Sequence, residues 1–235
     1  MRRLVVSILK PDTVGRWLIT GLLRDPIGFP IALFRSAIAT KKLTDRYFPI
    51  RVRLGIGQIL RVSKGAESKV VLLGNLLVNS WGGSNIPSSI SCADGAVLKI
   101  SGDFEIGPNV HIEIAREANL TLGGKKNSSA SGITCNSRIM IEKSLTIGHD
   151  CIIAWDVYIS DSNWHEISGI ERSSPVSIGE HVWISHGVSV LKGAVIPSGC
   201  IVGAKSLVTG AFCEEKSLIA GVPAKVVRSA VEWTR

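Results

Sequence analysis

Residues 178–208, with the sequence IGEHVWISHGVSVLKGAVIPSGCIVGAKSLV, carry a six-residue repeat that decides the fold. An aliphatic residue recurs at every sixth position of this stretch: Ile178, Ile184, Val190, Ile196, Val202 and Val208. Four positions after each of the first five lies a small or β-branched residue: Val182, Val188, Ala194, Cys200 and Ser206. Because a helix repeats every 3.6 residues and a strand every two, neither element alone explains this period.

The same register precedes a break near residue 160, at Ile141, Ile147, Ile153 and Ile159. A small residue often follows the aliphatic one, as in Ile147-Gly148, and suits a sharp turn between short strands. This pattern resembles the hexapeptide repeat of left-handed parallel β-helices, in which three hexapeptides form one triangular coil. A β-sandwich of short strands is the alternative, and ten positions in one register disfavour it.

We therefore expect an all-β solenoid over residues 51–222, with a basic, partly helical segment before it (1–50) and a short segment after it (223–235). Loops are expected near 123–132, which is polar and rich in glycine and serine, and near 160–177, where the repeat breaks. A helix is expected from Ile31 to Leu43, with Lys41 and Lys42 near its end, where cations suit the helix dipole.

The net charge of +8 is concentrated in the first 53 residues, which hold eleven Lys and Arg against three Asp. The remainder is neutral and has no aromatic interleaving or nucleic-acid-binding motif, so we do not expect a nucleic-acid partner. The basic segment is a candidate for peripheral contact with an anionic membrane; a solvated or trimer-packing appendage is the alternative.

The cysteines and the N-terminal sequence both favour a cytoplasmic protein. The apolar run from Leu4 to Leu9 is too short for a secretory signal, and charges and prolines interrupt the apolar stretch 17–34, so no spanning helix is expected. The cysteines are odd in number and widely spaced, which favours buried reduced thiols over disulfides or a metal cluster: Cys92, Cys135, Cys151, Cys200 and Cys213.

The break in the repeat contains His165, and loops that project from a rigid scaffold often carry functional groups. Here AWDVYISDSNWHEI (154–167), together with the repeat and IAGVPAKVVR (219–228), resembles the sugar O-acetyltransferases. These include galactoside, maltose and bacterial surface-polysaccharide acetyltransferases. The resemblance covers residues 133–228 well and 50–132 weakly, and it does not cover the first fifty.

The resemblance implies transfer of an acetyl group from acetyl-CoA to a hydroxyl of a carbohydrate acceptor, in a homotrimer and without a metal. His165 is then the general base, because imidazole has a pKa near the working pH and can remove the hydroxyl proton directly. Asp161 either orients the His165 ring or caps a turn. Asn136 is expected to contact the acceptor, and Trp155 and Trp164 either stack on a sugar ring or pack beneath the loop.

The resemblance also indicates how CoA is bound. The thioester oxyanion needs a preplaced donor, which falls on the backbone N–H of His186, next to Ser185. The resemblance also implies that Ala204 and Thr209 contact the pantetheine arm, and that Lys225 and Arg228 contact the phosphates. Trp183 either lines the site or forms a trimer contact. The family often has an arginine at the position of Lys225. A lysine there keeps the positive charge but cannot bind a phosphate in the bidentate geometry of arginine.

Other functions remain open at this point. A γ-type carbonic anhydrase shares the architecture, and His149, His181 and His186 are its candidate zinc ligands. However, His181 and His186 occupy unusual places in their hexapeptides for that role, and it leaves His165 without one. An N-acetyltransferase of a nucleotide sugar or amino acid, and a non-catalytic scaffold, are further alternatives. The segment WDVYISDSNWH favours O-acetylation of a surface polysaccharide or its precursor.

Overall fold

Two helices precede a long series of short strands. The computed structural model describes residues 13–80, 84–128 and 130–234, and within them the helices are α1 (Thr13–Arg24) and α2 (Gly28–Thr44). The strands are β1 (Val52–Leu54), β2 (Leu60–Lys64), β3 (Lys69–Leu72), β4 (Leu76–Val78), β5 (Ser88–Cys92), β6 (Val97–Ile100), β7 (Phe104–Ile106), β8 (His111–Ile114), β9 (Asn119–Gly124), β10 (Gly132–Ile133), β11 (Arg138–Ile141), β12 (Ser144–His149), β13 (Ile152–Ile153), β14 (Tyr158–Ser160), β15 (Val176–Ile178), β16 (Trp183–Ile184), β17 (Ser189–Val190), β18 (Val195–Ile196), β19 (Ile201–Val202), β20 (Leu207–Val208), β21 (Leu218–Gly221) and β22 (Ala224–Arg228).

The strands form the three faces of a triangular β-helix, and the chain visits the faces in turn. Face A contains β1, β4, β7, β10, β13, β16, β19 and β21, with β22 antiparallel at its end. Face B contains β2, β5, β8, β11, β14, β17 and β20, and face C contains β3, β6, β9, β12, β15 and β18. We name the turns between successive faces the A–B, B–C and C–A edges. One coil is one passage around all three.

The six-residue register forms the core, as expected. All ten aliphatic positions of the register are at most 1% exposed. Parallel pairing stacks them in columns, for example Ile159, Val190 and Val208 on face B. Each such side chain contributes roughly 1.5–3 kcal/mol by leaving water. The coils begin at Val52, so the looser part of the repeat is also β-helix.

Glycine follows the aliphatic residue at the C–A edge because successive coils approach closely there. A Cβ on Gly123 would lie 2.4 Å from backbone atoms of the next coil, and one on Gly148 would lie 2.5 Å from the carbonyl oxygen of Gly179. These contacts are far shorter than van der Waals distances. Only a residue without a side chain fits.

Helix α2 covers the first coil. It includes the expected range and is followed by Asp45, whose backbone is left-handed and whose N–H bonds to the carbonyl of Lys41. The hydroxyls of Ser36 and Thr40 accept hydrogen bonds from the N–H groups of Leu54 (2.9 Å) and Val52 (3.0 Å). The helix thereby satisfies two backbone N–H donors of β1, the strand at the open edge of face A.

No described helix is long and apolar enough to cross a membrane.

The five cysteines are unpaired, and three of them are buried: Cys92, Cys151 and Cys200. Burial raises the pKa of the Cys92 thiol to about 11 and that of Cys151 to about 12. Cys135 is only half-buried and Cys213 is exposed, so the expected burial does not hold for Cys213 and holds only in part for Cys135.

Candidate functional site

The loop that carries His165 projects from the B–C edge and is closed at its base. The N–H of Ser174 bonds to the carbonyl of Asp161 (2.8 Å), and the N–H of Asn163 bonds to that of Arg172 (2.9 Å). We name residues 161–174 the His165 loop. The side chain of His165 is exposed and makes no hydrogen bond within the described part of the chain.

Glu142, in the coil below, holds the His165 loop in place. Its carboxylate pairs with Arg172 at 2.6 Å and accepts a hydrogen bond from the hydroxyl of Ser162. From the coil above, Lys192 donates to the carbonyl of Glu171. Sequence reasoning missed these contacts, because no local pattern relates residues of different coils.

Asp161 is fully buried, and its carboxylate organises the turn between β11 and β12. It accepts hydrogen bonds from the N–H groups of Glu142 (2.7 Å), Lys143 (2.7 Å) and Ser144 (2.6 Å). Of the two roles that the sequence left open, this is the turn-capping one. Asp161 makes no hydrogen bond to His165, so any influence on the histidine runs through the base of the loop.

Trp164, which directly precedes His165, anchors the loop. Its indole N–H bonds to the hydroxyl of Ser160 (3.1 Å), and its backbone N–H bonds to that of Ser162 (2.9 Å). Its φ of 61° is left-handed, an uncommon conformation for a bulky residue. This geometry corresponds to packing beneath the loop, the second role considered for Trp164.

The A–B edge carries several of the other expected site residues. The rings of Trp155 and His186 stack on adjacent coils, with centroids 5.3 Å apart and planes at 14°. The carbonyl of Trp155 accepts from Gly187, and that of His186 accepts from Lys205. Ala204 lies at the matching position one coil further along.

A row of backbone N–H groups at this edge has no partner in the part of the chain that the structure describes. No described residue accepts a hydrogen bond from the N–H of Trp155, His186 or Ala204. By contrast, Ser185 uses its N–H in the ladder, bonding to Val202 at 3.0 Å. Free N–H groups in a fixed row suit carbonyl oxygens or an oxyanion.

Asn136 lies at the same edge, one coil below Trp155. Its backbone is left-handed (φ 50°), and its N–H bonds to the carbonyl of Pro108 at 3.0 Å. Its side chain is exposed, and its carbonyl oxygen accepts from the amide of Asn109 at 3.1 Å.

The C-terminal residues cover part of face A. Trp233 stacks on His181, with centroids 4.1 Å apart and planes at 3°, and lies 6.0 Å from the ring of Trp183. Its indole N–H also bonds to the carbonyl of His181 (3.2 Å). Trp233 lies outside the repeat register, so no pattern in the sequence predicts this contact. Lys225 and Arg228 are both exposed on β22, at the end of face A.

One chain therefore distributes the expected site over two edges and face A, which carries Trp183, Lys225 and Arg228. His165 lies at the B–C edge, and Thr209 begins the turn after β20 at that edge. His186, Trp155, Asn136 and Ala204 lie at the A–B edge. Face B separates the two groups.

The candidate zinc ligands are similarly divided, with His149 and His181 at the C–A edge and His186 at the A–B edge. Within residues 13–80, 84–128 and 130–234, no three His, Cys, Asp or Glu residues are grouped so that they can hold a metal ion.

Comparison with known proteins supports the resemblance seen in the sequence. The chain is 38% identical over 100 residues to the putative lipopolysaccharide biosynthesis O-acetyl transferase WbbJ of Escherichia coli K12, covering 37% of this chain and 50% of that protein. It is 29% identical over 144 residues to the polysialic acid O-acetyltransferase of Escherichia coli O1:K1, covering 58% and 42%. The chain thus spans about half the length of the curated relatives it matches. No protein-family profile matches it.

The crystal structure of the polySia-specific acetyltransferase NeuO superposes with a TM-score of 0.53 and 23% identity, over 78% of this chain and 82% of that one. At this identity the match shows the fold, and it confirms the expected left-handed parallel β-helix. The expected similarity to polysaccharide O-acetyltransferases is confirmed by the relatives above.

Proposed function

We propose that this protein is an O-acetyltransferase that moves the acetyl group of acetyl-CoA to a hydroxyl of a surface polysaccharide or its precursor. The observation that carries the proposal is the row of free N–H groups at the A–B edge, with His186 at the position expected for the oxyanion donor. The clamped loop with an exposed His165 and the similarity to O-acetyltransferases support it.

The reaction follows from these two groups. His165 removes the proton of the acceptor hydroxyl as that oxygen attacks the thioester carbon, so the O–H bond breaks while a C–O bond forms. The carbonyl oxygen becomes an oxyanion and accepts a hydrogen bond from the N–H of His186. Collapse of the intermediate breaks the C–S bond, and the imidazolium of His165 returns its proton to the CoA thiolate. No acyl-enzyme forms.

The remaining residues bind the donor. Ala204 and Thr209 offer backbone N–H groups to the amides of the pantetheine arm. Lys225 and Arg228 supply positive charge for the phosphates, and both are exposed at the end of face A. The ring of Trp183, 39% exposed, forms an apolar wall on the same face.

The separation of His165 from His186 supports a homotrimer. Because face B lies between the two edges of one chain, we propose that the His165 loop of one subunit faces the A–B edge of a neighbouring subunit. Each trimer then has three sites, one at each junction. Sedimentation of a monomer at micromolar concentration contradicts this assembly.

The N-terminal helices support peripheral contact with an anionic membrane. Ile27, which directly precedes α2, and Ile31 and Phe34 within it are 77%, 56% and 68% exposed. Spacings of four and three residues put them on a single stripe. Arg35 and Lys42 lie on the same helix, where they suit anionic headgroups. Such contact places the enzyme near lipid-linked glycan precursors.

The test of the activity is acetyl transfer itself. The protein is incubated with acetyl-CoA and fragments of bacterial lipopolysaccharide or capsule, and free CoA thiol and acetyl ester on the glycan are measured together. We expect both to appear in equal amounts. Thiol release without ester, or neither product with any glycan, contradicts the proposal.

A further inference from the structure

A chain of hydrogen-bonded side chains runs across face B to the A–B edge. Ser89 and His111 point outward from paired positions of β5 and β8, with 2.7 Å between the hydroxyl and Nδ1. Nε2 of His111 lies 2.9 Å from Oδ1 of Asn109. The Asn109 amide nitrogen in turn donates to Oδ1 of Asn136 at 3.1 Å.

Because Oδ1 of Asn109 can only accept, Nε2 of His111 donates to it, and Nδ1 of the same ring is hydrogen-bonded to the hydroxyl of Ser89. The amide nitrogen of Asn136, at the end of the chain, has no partner in the described part of the protein. Asn136 therefore presents two N–H donors to solvent, while its carbonyl oxygen already accepts one hydrogen bond from Asn109.

Arg138 lies two residues further along, on the same face. It points outward from β11, between His111 on one neighbouring strand and Tyr158 on the other. Its side chain is exposed, and no carboxylate of the described residues lies within 4.0 Å of its guanidinium. A guanidinium is a cation with five N–H donors and no acceptor.

We propose that Asn136 and Arg138 form an acceptor subsite rich in N–H donors, and that the acceptor carries an anionic group, carboxylate or phosphate. This inference rests on the proposed function. Sugar hydroxyls both donate and accept, whereas a carboxylate or phosphate only accepts and pairs with arginine in a bidentate manner. Asp156 lies one coil above Asn136 and repels an anion, so the anionic group binds on the Arg138 side.

The position of the subsite fits this role. Face B lies between the A–B edge, with Trp155 and His186, and the B–C edge, with the His165 loop. An acidic sugar held on Arg138 therefore lies on the side of face B that adjoins the A–B edge, which in the proposed trimer faces the His165 loop of a neighbouring subunit. Within this account, Ser89, His111 and Asn109 are positioning residues that fix the amide of Asn136.

The test compares Arg138→Gln with Arg61→Gln. Arg61 is an exposed arginine in the same outward ladder of face B, which runs through Ser89 and His111 to Arg138, so it is a matched control. The probes are oligogalacturonate for the carboxylate, a phosphomannan oligosaccharide for the phosphate and a malto-oligosaccharide as the neutral sugar. Equilibrium binding is measured for each, and KM where transfer occurs.

We expect one of the anionic probes to bind, and Arg138→Gln to weaken it by about tenfold to a hundredfold, the range for a lost charged hydrogen bond. Binding of the neutral probe, binding of acetyl-CoA, and the Arg61→Gln variant should be unchanged. Equal losses in both arginine variants, or no binding of either anion, overturns the inference. Because binding needs no turnover, it tests the subsite even if acetyl transfer fails.

A second variant tests the polar chain. In His111→Phe, the amides of Asn109 and Asn136 lose their fixed orientation, and we expect weaker binding of the anionic probe by severalfold with unchanged binding of the neutral one. Equal weakening of both probes indicates a packing defect and contradicts the positioning role.

Discussion

The guanidinium of Arg172 lies 2.6 Å from the carboxylate of Glu142 and joins the far end of the His165 loop to the coil below. Ser162, at the near end, donates to the same carboxylate. One acidic side chain thus closes both ends of the segment that carries the proposed general base. Catalysis by a histidine depends on a fixed position, so this clamp connects the scaffold to the chemistry.

Removal of the clamp should therefore reduce kcat more than stability. The Glu142→Ala variant is expected to lower kcat by about tenfold, because the histidine samples unproductive positions. Exposed and half-exposed ion pairs contribute at most about 1 kcal/mol to stability, so the free energy of unfolding should change little. Hydrogen exchange of residues 162–173 should accelerate. Glu180→Ala, which removes the exposed ion pair with Lys126, is the control; equal rate losses in the two variants contradict the clamp.

Loss of the proposed base should abolish transfer but not donor binding. We expect His165→Ala to lower kcat by roughly a hundredfold to ten thousandfold, the usual contribution of general-base catalysis. Acetyl-CoA affinity should stay the same. His149→Ala is the matched control, and it also tests the zinc alternative, which predicts that this variant is impaired. Full activity of His165→Ala would remove the histidine from the mechanism.

The close approach of coils makes one class of glycine irreplaceable. Gly148→Ala should destabilise the protein by about 1–3 kcal/mol, the range for overpacking, because the new Cβ lies 2.5 Å from the carbonyl oxygen of Gly179. Gly210→Ala meets nothing within 4 Å and should be neutral. Chemical denaturation of the two variants measures the difference. Equal stabilities contradict this explanation of the repeat.

The exposed stripe of α2 should bind anionic vesicles. Flotation with phosphatidylglycerol vesicles is expected to carry the protein, and binding should fall with salt and in Phe34→Glu. Val71→Glu, at an exposed apolar residue (43%) of face C, is the control. If Phe34→Glu leaves flotation intact but changes the sedimentation coefficient, the stripe is a contact between subunits instead.

The sequence predicted the fold well where one residue type recurs at a fixed period. Ile159, Val190 and Val208 were identifiable because every coil needs an inward aliphatic side chain at the same place. The helix from Ile31 to Leu43 was predicted with Lys41 and Lys42 near its end, and α2 contains that range. Helix α1 was not predicted, although Asp12 before it and Pro26 after it are residue types that commonly flank a helix.

The site was predictable only in part, for a physical reason. His165 and His186 could be found because each follows from the repeat and the family resemblance. The clamp on Glu142 and the polar chain from Ser89 to Asn136 join residues of different coils, about twenty or more positions apart. Such contacts depend on how coils stack, and no local pattern records them.

Calorimetric titration of acetyl-CoA into chelator-treated protein shows whether the protein binds the proposed acetyl donor. We expect saturable binding that weakens when Lys225 and Arg228 are both replaced by alanine, and that persists in the Lys99→Ala control on face C. Absence of binding at millimolar acetyl-CoA would contradict the assignment as an acetyltransferase and leave His165 without its proposed role.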